Sequence, residues 1–322
     1  MTRRALITGI RGQDGSYLAE LLLEKGYEVH GLVRRAADGP GPNLQAVWER
    51  LVLHEGNLLD ERSLREALAA AQPAEVYNLA AVSHVPLSWE RPVESAEVNA
   101  LGPLRILDAI VAGGGEARLF QASSSEIFGG SGGAPQDEST PLRPSSPYGA
   151  AKAYAHQVTG AYRSRHDLFA CSGILFNHES PRRPERFVSR RVSSGAAAIK
   201  LGLAADLAIG NLEARRDWGY APDYVEAAWL MLQRQEPGDY VLGSGRAHSV
   251  AELVDAAFAA AGVEPGGRLR VDPAATRPGD NDYALADPAK AREILGWTAR
   301  TGFAETIAEM VQADLERLRL AD

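Results

Sequence analysis

Short apolar runs alternate with amphipathic stretches through the first half of the chain, regularly enough to read as strands and helices. "RALITG" opens as an apolar strand. "DGSYLAELLLEKG" follows with Tyr17, Leu18, Leu21 and Leu22 at helical spacing, and Gly26 stands where it can end that helix. "YEVHGLVR" and "RLVLHEGNL" read as further strands, and Asp60 is placed to cap the helix "ERSLREALAAA". "AEVYNLAA", "RLFQASS" and "LFACSGILF" continue the series, separated by helical segments around 95–112 and 147–166. Strands and helices alternating in this way predict a parallel sheet with right-handed crossovers, an α/β, Rossmann-like, doubly wound fold.

Past Asn177 the rhythm breaks. Pro and Arg crowd "NHESPRRPERFVSRR", and helical patterns at 250–262, 287–295 and 302–319 are joined by long irregular pieces. The pattern divides the chain into a dinucleotide-binding unit over 1–176, with 211–240 returning to it, and a smaller interleaved substrate-binding lobe over 177–210 and 241–322.

Composition narrows the function classes. The 322 residues carry a formal charge of −8 and no Lys/Arg-rich tract, which argues against a general nucleic-acid or anionic-membrane binder. Cys171 is the single cysteine, so no intrachain disulfide forms and a reducing compartment is favoured. Within "LFACSGILF" it reads as a small buried thiol rather than a nucleophile. The N-terminus runs directly into a strand, and no apolar run approaches the ~20 residues that span a bilayer, so the expected location is cytoplasmic. Neither an H-E-x-x-H nor a Cys/His cluster is present, and no metal is assigned.

Candidate chemistry begins at "TGIRGQDG", where Gly9, Gly12 and Gly15 follow the first strand and open the first helix. Glycine permits the tight turn and lets a pyrophosphate approach backbone N–H groups at the positive helix end. The second strand ends in "LVRR". With Arg34 and Arg35 there and no acid, a 2′-phosphate is favoured over a bare ribose hydroxyl, hence NADP; two solvated surface arginines are the plainer reading.

"SPYGAAKAYAH" sets Tyr148 and Lys152 one helical turn apart. A nearby ammonium favours phenolate and draws the tyrosine toward service as a base. "QASSSEIFGG" adds Ser124, able to bond the sugar oxygen that Tyr148 deprotonates, and Glu126 two residues on. Oxidation at one carbon acidifies the hydrogen on the next. A carboxylate there removes that proton, and once protonated it helps expel a hydroxyl from the following carbon. An alcohol dehydrogenase has no need of Glu126, whereas a dehydratase does. In the second lobe, Arg191, Arg216 and Arg277 suit a pyrophosphate-linked sugar, and any of them also reads as a surface arginine.

With these residues the chain resembles the extended short-chain dehydrogenases/reductases, and closely the GDP-mannose 4,6-dehydratase family. The shared stretches include "TGIRGQDGSYLAELLLEKGYEVHGLVRR", "YNLAAVSHV", "ASSSEIFG", "SPYGAAKAYA", "LFNHESPRR", "GNLEARRDWGYAPDYVEAAWLMLQ" and "DPAKAREILGW", of which "NHESPRR" and "RRDWG" are the specific ones. The resemblance implies a lyase acting on GDP-mannose with NADP cycled within one turnover, Tyr148 as base, Lys152 as its partner and Glu126 as acid/base. It further implies Gln13, Asp14, Asn57, Leu58, Leu79, Ala80, Ala81 and His178 along the cofactor. Ser83, Asn177 and Glu179 fall beside the sugar nucleotide, the last two also readable as turn-stabilising residues. The family usually has threonine at Ser124, an acid at Asn57, a polar residue at Val82, lysine at Arg191 and glutamate at Asp280. The segment after Arg35 is atypical where the family places a tetramer loop. Helices 95–112 and 147–166 correspond to the family's dimeric four-helix bundle, so a homodimer or homotetramer is expected. Other readings are a nucleotide-sugar epimerase or decarboxylase on the same scaffold, or a non-catalytic NADP-binding regulator.

Overall fold

The structure is a computed structural model that describes residues 2–130, 133–264, 266–272 and 283–321. In the first half, β1 (Arg4–Thr8), α1 (Gln13–Glu24), β2 (Glu28–Val33), β3 (Val52–Glu55), α2 (Glu61–Ala71), β4 (Glu75–Asn78), α3 (Val85–Glu90), α4 (Pro92–Ala96), α5 (Gly102–Ala112), β5 (Arg118–Ala122), α6 (Pro147–His166) and β6 (Ala170–Leu175) alternate much as the apolar pattern predicts. The second half supplies β7 (Asn177–Glu179), α7 (Val188–Lys200), β8 (Leu207–Ile209), β9 (Arg215–Tyr220), α8 (Ala221–Leu232), β10 (Asp239–Leu242), β11 (Ala247–Ser249), α9 (Val250–Ala261), β12 (Leu269–Val271), β13 (Tyr283–Ala284) and α10 (Phe303–Ala321).

Seven strands pair in the order β3-β2-β1-β4-β5-β6-β10, every pair parallel. The chain works outward from β1 to β3 and then crosses back to β4. The connections therefore diverge between β1 and β4 and leave a crevice at the carboxyl ends of those strands. One sheet face is covered by α1 and α8, whose Leu18, Leu22, Ala228 and Met231 are buried with Leu295 and Trp297. The other is covered by α2 and α5 through Leu64, Ile106, Leu107 and Ile110, with Val158 and Tyr162 of α6 packed against them. Capping follows the residue types: Asp60 accepts from Arg62 N at 3.0 Å, and Gly26 adopts φ +79 beyond α1.

A second core joins α7, α9 and α10 through Val192, Ala197, Leu253, Phe258 and Met310. Beside it β7, β11 and β13 each pair with β9, and β8 pairs with β12. Of the 211–240 stretch expected to return to the first unit, α8 and β10 do pack there, whereas β9 runs in this smaller sheet.

Three elements depart from the pattern reading. Helix α7 lies where an irregular, Pro- and Arg-rich stretch was expected. Its inward face carries Arg190, 3 % exposed and 2.6 Å from Asp314, so a paired charge interrupts the apolar stripe that would have announced a helix. The single helix expected near 95–112 is α4 and α5 joined by a π-helical turn, Glu97–Leu101, that turns Asn99 inward. The helix expected over 287–295 closes as another such turn, Ala291–Leu295. No helix among the described residues is long and apolar enough to cross a membrane. Burial pushes the Cys171 thiol up to about 11, which keeps it protonated and unreactive.

Candidate active site

A cleft of about 740 Å³ opens at the crevice between β1 and β4 and extends over the second core. Its floor is the glycine turn. Gly9 has φ +71, and a Cβ there would sit 2.8 Å from Ala80 N. A Cβ on Gly15 would meet Gly9 O at 2.3 Å and Ile10 Cα at 2.6 Å. Side chains are thus excluded along this edge, and α1 begins at Gly12 with no side-chain cap on its first N–H groups. A bare backbone turn feeding a helix N-terminus fits a dinucleotide pyrophosphate. Leu79, Ala80 and Ala81 line the next wall, with Ala80 N donating to Thr8 Oγ1 at 3.1 Å. Asn57 and Leu58 line the far end, where Asn57 Oδ1 accepts from Leu59 N at 3.1 Å and closes its own loop.

Gln13 and Asp14 link this floor to the second body. Gln13 Nε2 donates to the His178 carbonyl at 3.0 Å, and Ser180 Oγ donates to Gln13 Oε1 at 2.8 Å. His178 lies with Nδ1 2.7 Å from the Phe176 carbonyl and Nε2 2.9 Å from Asp14 Oδ2, so as an imidazolium it donates from both nitrogens. Burial alone would raise the Asp14 carboxyl, but the charge and hydrogen bond of His178 hold it at about 2. Burial works against the charged imidazole, and Asp14 overrides it, leaving His178 raised.

The candidate reacting groups gather at the end of β5. Ser124 caps a 3-10 turn, Ser125–Ile127, which presents the half-buried Glu126 to the cleft. That turn seats on α6 so closely that a Cβ on Gly149 would stand 2.6 Å from the Glu126 carbonyl oxygen. Tyr148 and Lys152 rise from α6 beneath it, with Lys152 Nζ 5.8 Å from the centroid of the Tyr148 ring. Lys152 Nζ donates to the Ala122 carbonyl at 2.8 Å. Burial lowers Lys152 to about 8, partly offset by Asp14. Burial likewise pushes the Tyr148 phenol up to about 12; a hydrogen bond with Ser124 and the charge of Arg183 pull it down, while Glu126 pushes it further up. The sequence reading had the lysine and the nicotinamide ring lowering this phenol; in the protein burial is the largest influence and raises it, and Ser124 and Arg183 are the groups that draw it down.

The other end of the cleft is lined by arginine. Arg183, Arg186, Arg191 and Arg216 all face it, beside Ser83, Asn177, Asn211 and Trp218. Arg191 Nη2 donates to the Ala208 carbonyl at 3.1 Å, and Arg216 Nη1 to the Arg215 carbonyl at 2.9 Å. Glu179 also borders the cleft, but its carboxylate is 1 % exposed, bonded by Ser189 and 3.2 Å from Arg183 Nε. Arg277, expected beside the nucleotide, lies outside the described residues, as does Asp280.

A family model described as GDP-mannose 4,6 dehydratase matches residues 6–310. The chain belongs to that family. GDP-mannose 4,6 dehydratase 1 of Arabidopsis thaliana is 47% identical, over 97% of this chain and 90% of that protein. The human GDP-mannose 4,6 dehydratase is 44% identical, over 98% of this chain and 92% of its own. Among solved structures, the Thermus thermophilus UDP-glucose 4-epimerase in complex with NAD superposes with a TM-score of 0.86 at 32% identity, covering 97% of this chain and 98% of that one.

Within this GDP-mannose 4,6-dehydratase-family fold the structure gathers Ser124, Glu126, Tyr148 and Lys152 in one cleft. Arg34 lines the cleft, whereas the Arg35 guanidinium turns out to Asp38 at 3.4 Å and does not. No acid stands in "LVRR" itself, but Asp38, farther along the chain, folds back to the rim through the turn Ala36–Asp38. Sequence reasoning missed Arg11, Arg183 and Arg186, which only the folded turns aim at the cleft. It also missed Asn99, which accepts from Val82 N at 2.9 Å and donates to the Val82 carbonyl at 3.0 Å, pinning the loop after β4. A third omission is a buried chain across the strand ends. Thr8 Oγ1 donates to Asn78 at 2.7 Å, Asn78 Nδ2 to Gln121 at 2.8 Å, and Gln121 Nε2 to the Ala122 carbonyl at 2.9 Å, the acceptor of Lys152.

Proposed function

We propose that this nicotinamide-dependent hydro-lyase converts GDP-mannose to GDP-4-keto-6-deoxymannose and retains NADP through the cycle. The observation that carries the reading is Glu126 on the same short turn as Ser124, lining one cleft with Tyr148 and Lys152 and close enough for its charge to act on the Tyr148 phenol. Tyr148 takes the proton of the sugar's C4 hydroxyl, Ser124 bonds that oxygen, and Lys152, fixed by the Ala122 carbonyl, keeps the positive charge of the site beside the phenol. Glu126 takes the C5 proton, made acidic by the C4 ketone, and returns it to the departing C6 hydroxyl. A cofactor held along Gly9–Gly15, Leu58, Leu79–Ala81 and the Asp14–His178 pair would supply hydride acceptance at C4 and hydride return at C6, and the proton taken up by Tyr148 balances the one C5 regains as the hydride returns. Arg191 and Arg216, with Arg183 and Arg186, provide the forked donors a diphosphate needs, and Ser83 and Asn177 face the sugar. In this reading the parallel-sheet body binds the dinucleotide and the second body binds the sugar nucleotide. The arginine-rich cleft, the buried protonated thiol and the net charge of −8 accord with a cytoplasmic nucleotide-sugar enzyme.

Purified protein incubated with GDP-mannose, UDP-glucose and dTDP-glucose should strip one water from GDP-mannose, read by mass spectrometry. A product of unchanged mass would indicate epimerisation and defeat the dehydratase reading.

The chain is also expected to associate. Trp89, Val93 and Tyr154 are 63%, 74% and 42% exposed on α3, α4 and α6, which pack side by side. Large apolar side chains clustered in this way mark a surface for a second copy. Light scattering should report at least a dimer, and Val93→Glu with Trp89→Glu should shift it toward monomer. A wild-type monomer at every concentration would dispose of the proposal.

A further inference from the structure

Three arginines meet where β2 leaves the sheet, and the fold treats them differently. Arg34 is exposed and lines the cleft. Arg11 reaches the same rim from the glycine turn and is half-buried. Arg35, its side chain 77% exposed, pairs with Asp38, a carboxylate that itself lines the rim.

Arg11 is held in its aim by chain segment 36–51. Its guanidinium carbon lies 5.3 Å from the centroid of the Trp48 ring. Asn43 Nδ2 donates to the Arg11 carbonyl at 3.1 Å, and Arg11 Nη2 donates to the Arg35 carbonyl at 3.0 Å. Leu44 and Val47 anchor the segment in the core below α1. Among the described residues Arg11 forms no ion pair, and its Nε is buried with no hydrogen-bond partner. A cation with an unused buried donor, beside a second guanidinium on the same rim, is unfavourable until an anion arrives to take both. A phosphate dianion has the charge and the oxygens to do so.

We infer that Arg11 and Arg34 together hold the 2′-phosphate of NADP, that Trp48 and Asn43 set the aim of Arg11, and that Arg35 serves indirectly by neutralising Asp38. The inference rests on the NADP reading of the proposed function. An unneutralised Asp38 would repel the phosphate and accept a hydrogen bond from a ribose 2′-hydroxyl, which favours NAD. Arg35 is therefore a residue acting through Asp38 rather than a ligand.

Calorimetry with NADPH, NADH, 2′,5′-ADP and 5′-AMP tests this division of labour on the whole chain, with thermal melts to confirm folding. Arg11→Ala should weaken NADPH and 2′,5′-ADP about 10- to 100-fold, as loss of a charge-assisted pair does, with NADH and 5′-AMP changed by about twofold at most. Arg11→Lys, which keeps the charge but not the fork, should lose less, and Trp48→Leu should move the NADPH-to-NADH ratio in the same direction. Arg35→Ala should weaken NADPH, and Asp38→Ala should restore it in the double variant. A wild type with equal affinity for both cofactors removes the NADP reading and this inference together. A wild type that prefers NADPH while Arg11→Ala loses both cofactors equally, or neither, overturns Arg11 as a ligand and leaves NADP standing. An Arg35→Ala loss of equal size with and without Asp38 makes Arg35 a direct ligand and overturns its indirect role.

Discussion

Glu126→Gln is expected to leave oxidation at C4 running and to stop the elimination of water. The amide keeps the shape and a hydrogen bond but cannot accept the C5 proton or pass one to the C6 hydroxyl. General acid/base catalysis contributes about 10²–10⁴-fold, so turnover to the 4-keto-6-deoxy product should fall by that order. Affinity for GDP-mannose should change little, because the contact matters mainly in the transition state. Substrate labelled at C4 should still reduce the bound cofactor in a single turnover, while C5 exchanges no proton with heavy water. There is also a pH signature. The Glu126 charge raises the neighbouring phenol, so its removal should let Tyr148 ionise more readily and move the rising limb of the oxidation rate to lower pH. If Glu126→Gln dehydrates GDP-mannose at the wild-type rate, the carboxylate is only a wet loop residue.

Tyr148→Phe should abolish oxidation and every later step. The ring keeps its packing, so folding and cofactor affinity should survive, while neither cofactor reduction nor C5 exchange should be seen. The position of Tyr148 makes the dependence on its neighbours measurable. Burial holds the phenol at about 12 and Ser124 draws it down. Ser124→Ala should therefore push the rising limb of the oxidation rate to higher pH and slow it at neutrality. Lys152→Met should also slow oxidation, by removing the buried cation held beside the ring. Oxidation persisting in Tyr148→Phe would assign the base elsewhere, and an unshifted limb in Ser124→Ala would deny the hydroxyl its part.

The parallel-sheet half was legible because its signals are local. Strand runs, helix stripes, the Gly9–Gly15 turn, the Asp60 cap and the Tyr148–Lys152 spacing each depend on neighbours a few residues away. The architecture is then set by the order of elements, since parallel strands joined by helices have few ways to pack. Helix α7 escaped because Arg190 occupies its buried face, a placement only Asp314, far along the chain, makes tolerable.

What the sequence by itself determined is thus the fold class and the glycine turn, and it supplied Ser124, Glu126, Tyr148 and Lys152 as the candidate reacting groups. Tertiary structure decided how those groups are tuned and who accompanies them. Desolvation sets the Tyr148 and Lys152 protons, and it depends on what covers them rather than on their spacing. The chain of Thr8, Asn78 and Gln121 exists only because β1, β4 and β5 lie side by side. The turn after β2 swings Asp38 back to the rim and Arg35 away from it, while Trp48 steadies Arg11. Such contacts join residues that are distant in sequence or whose directions hinge on a single turn, and no periodicity along the chain encodes them.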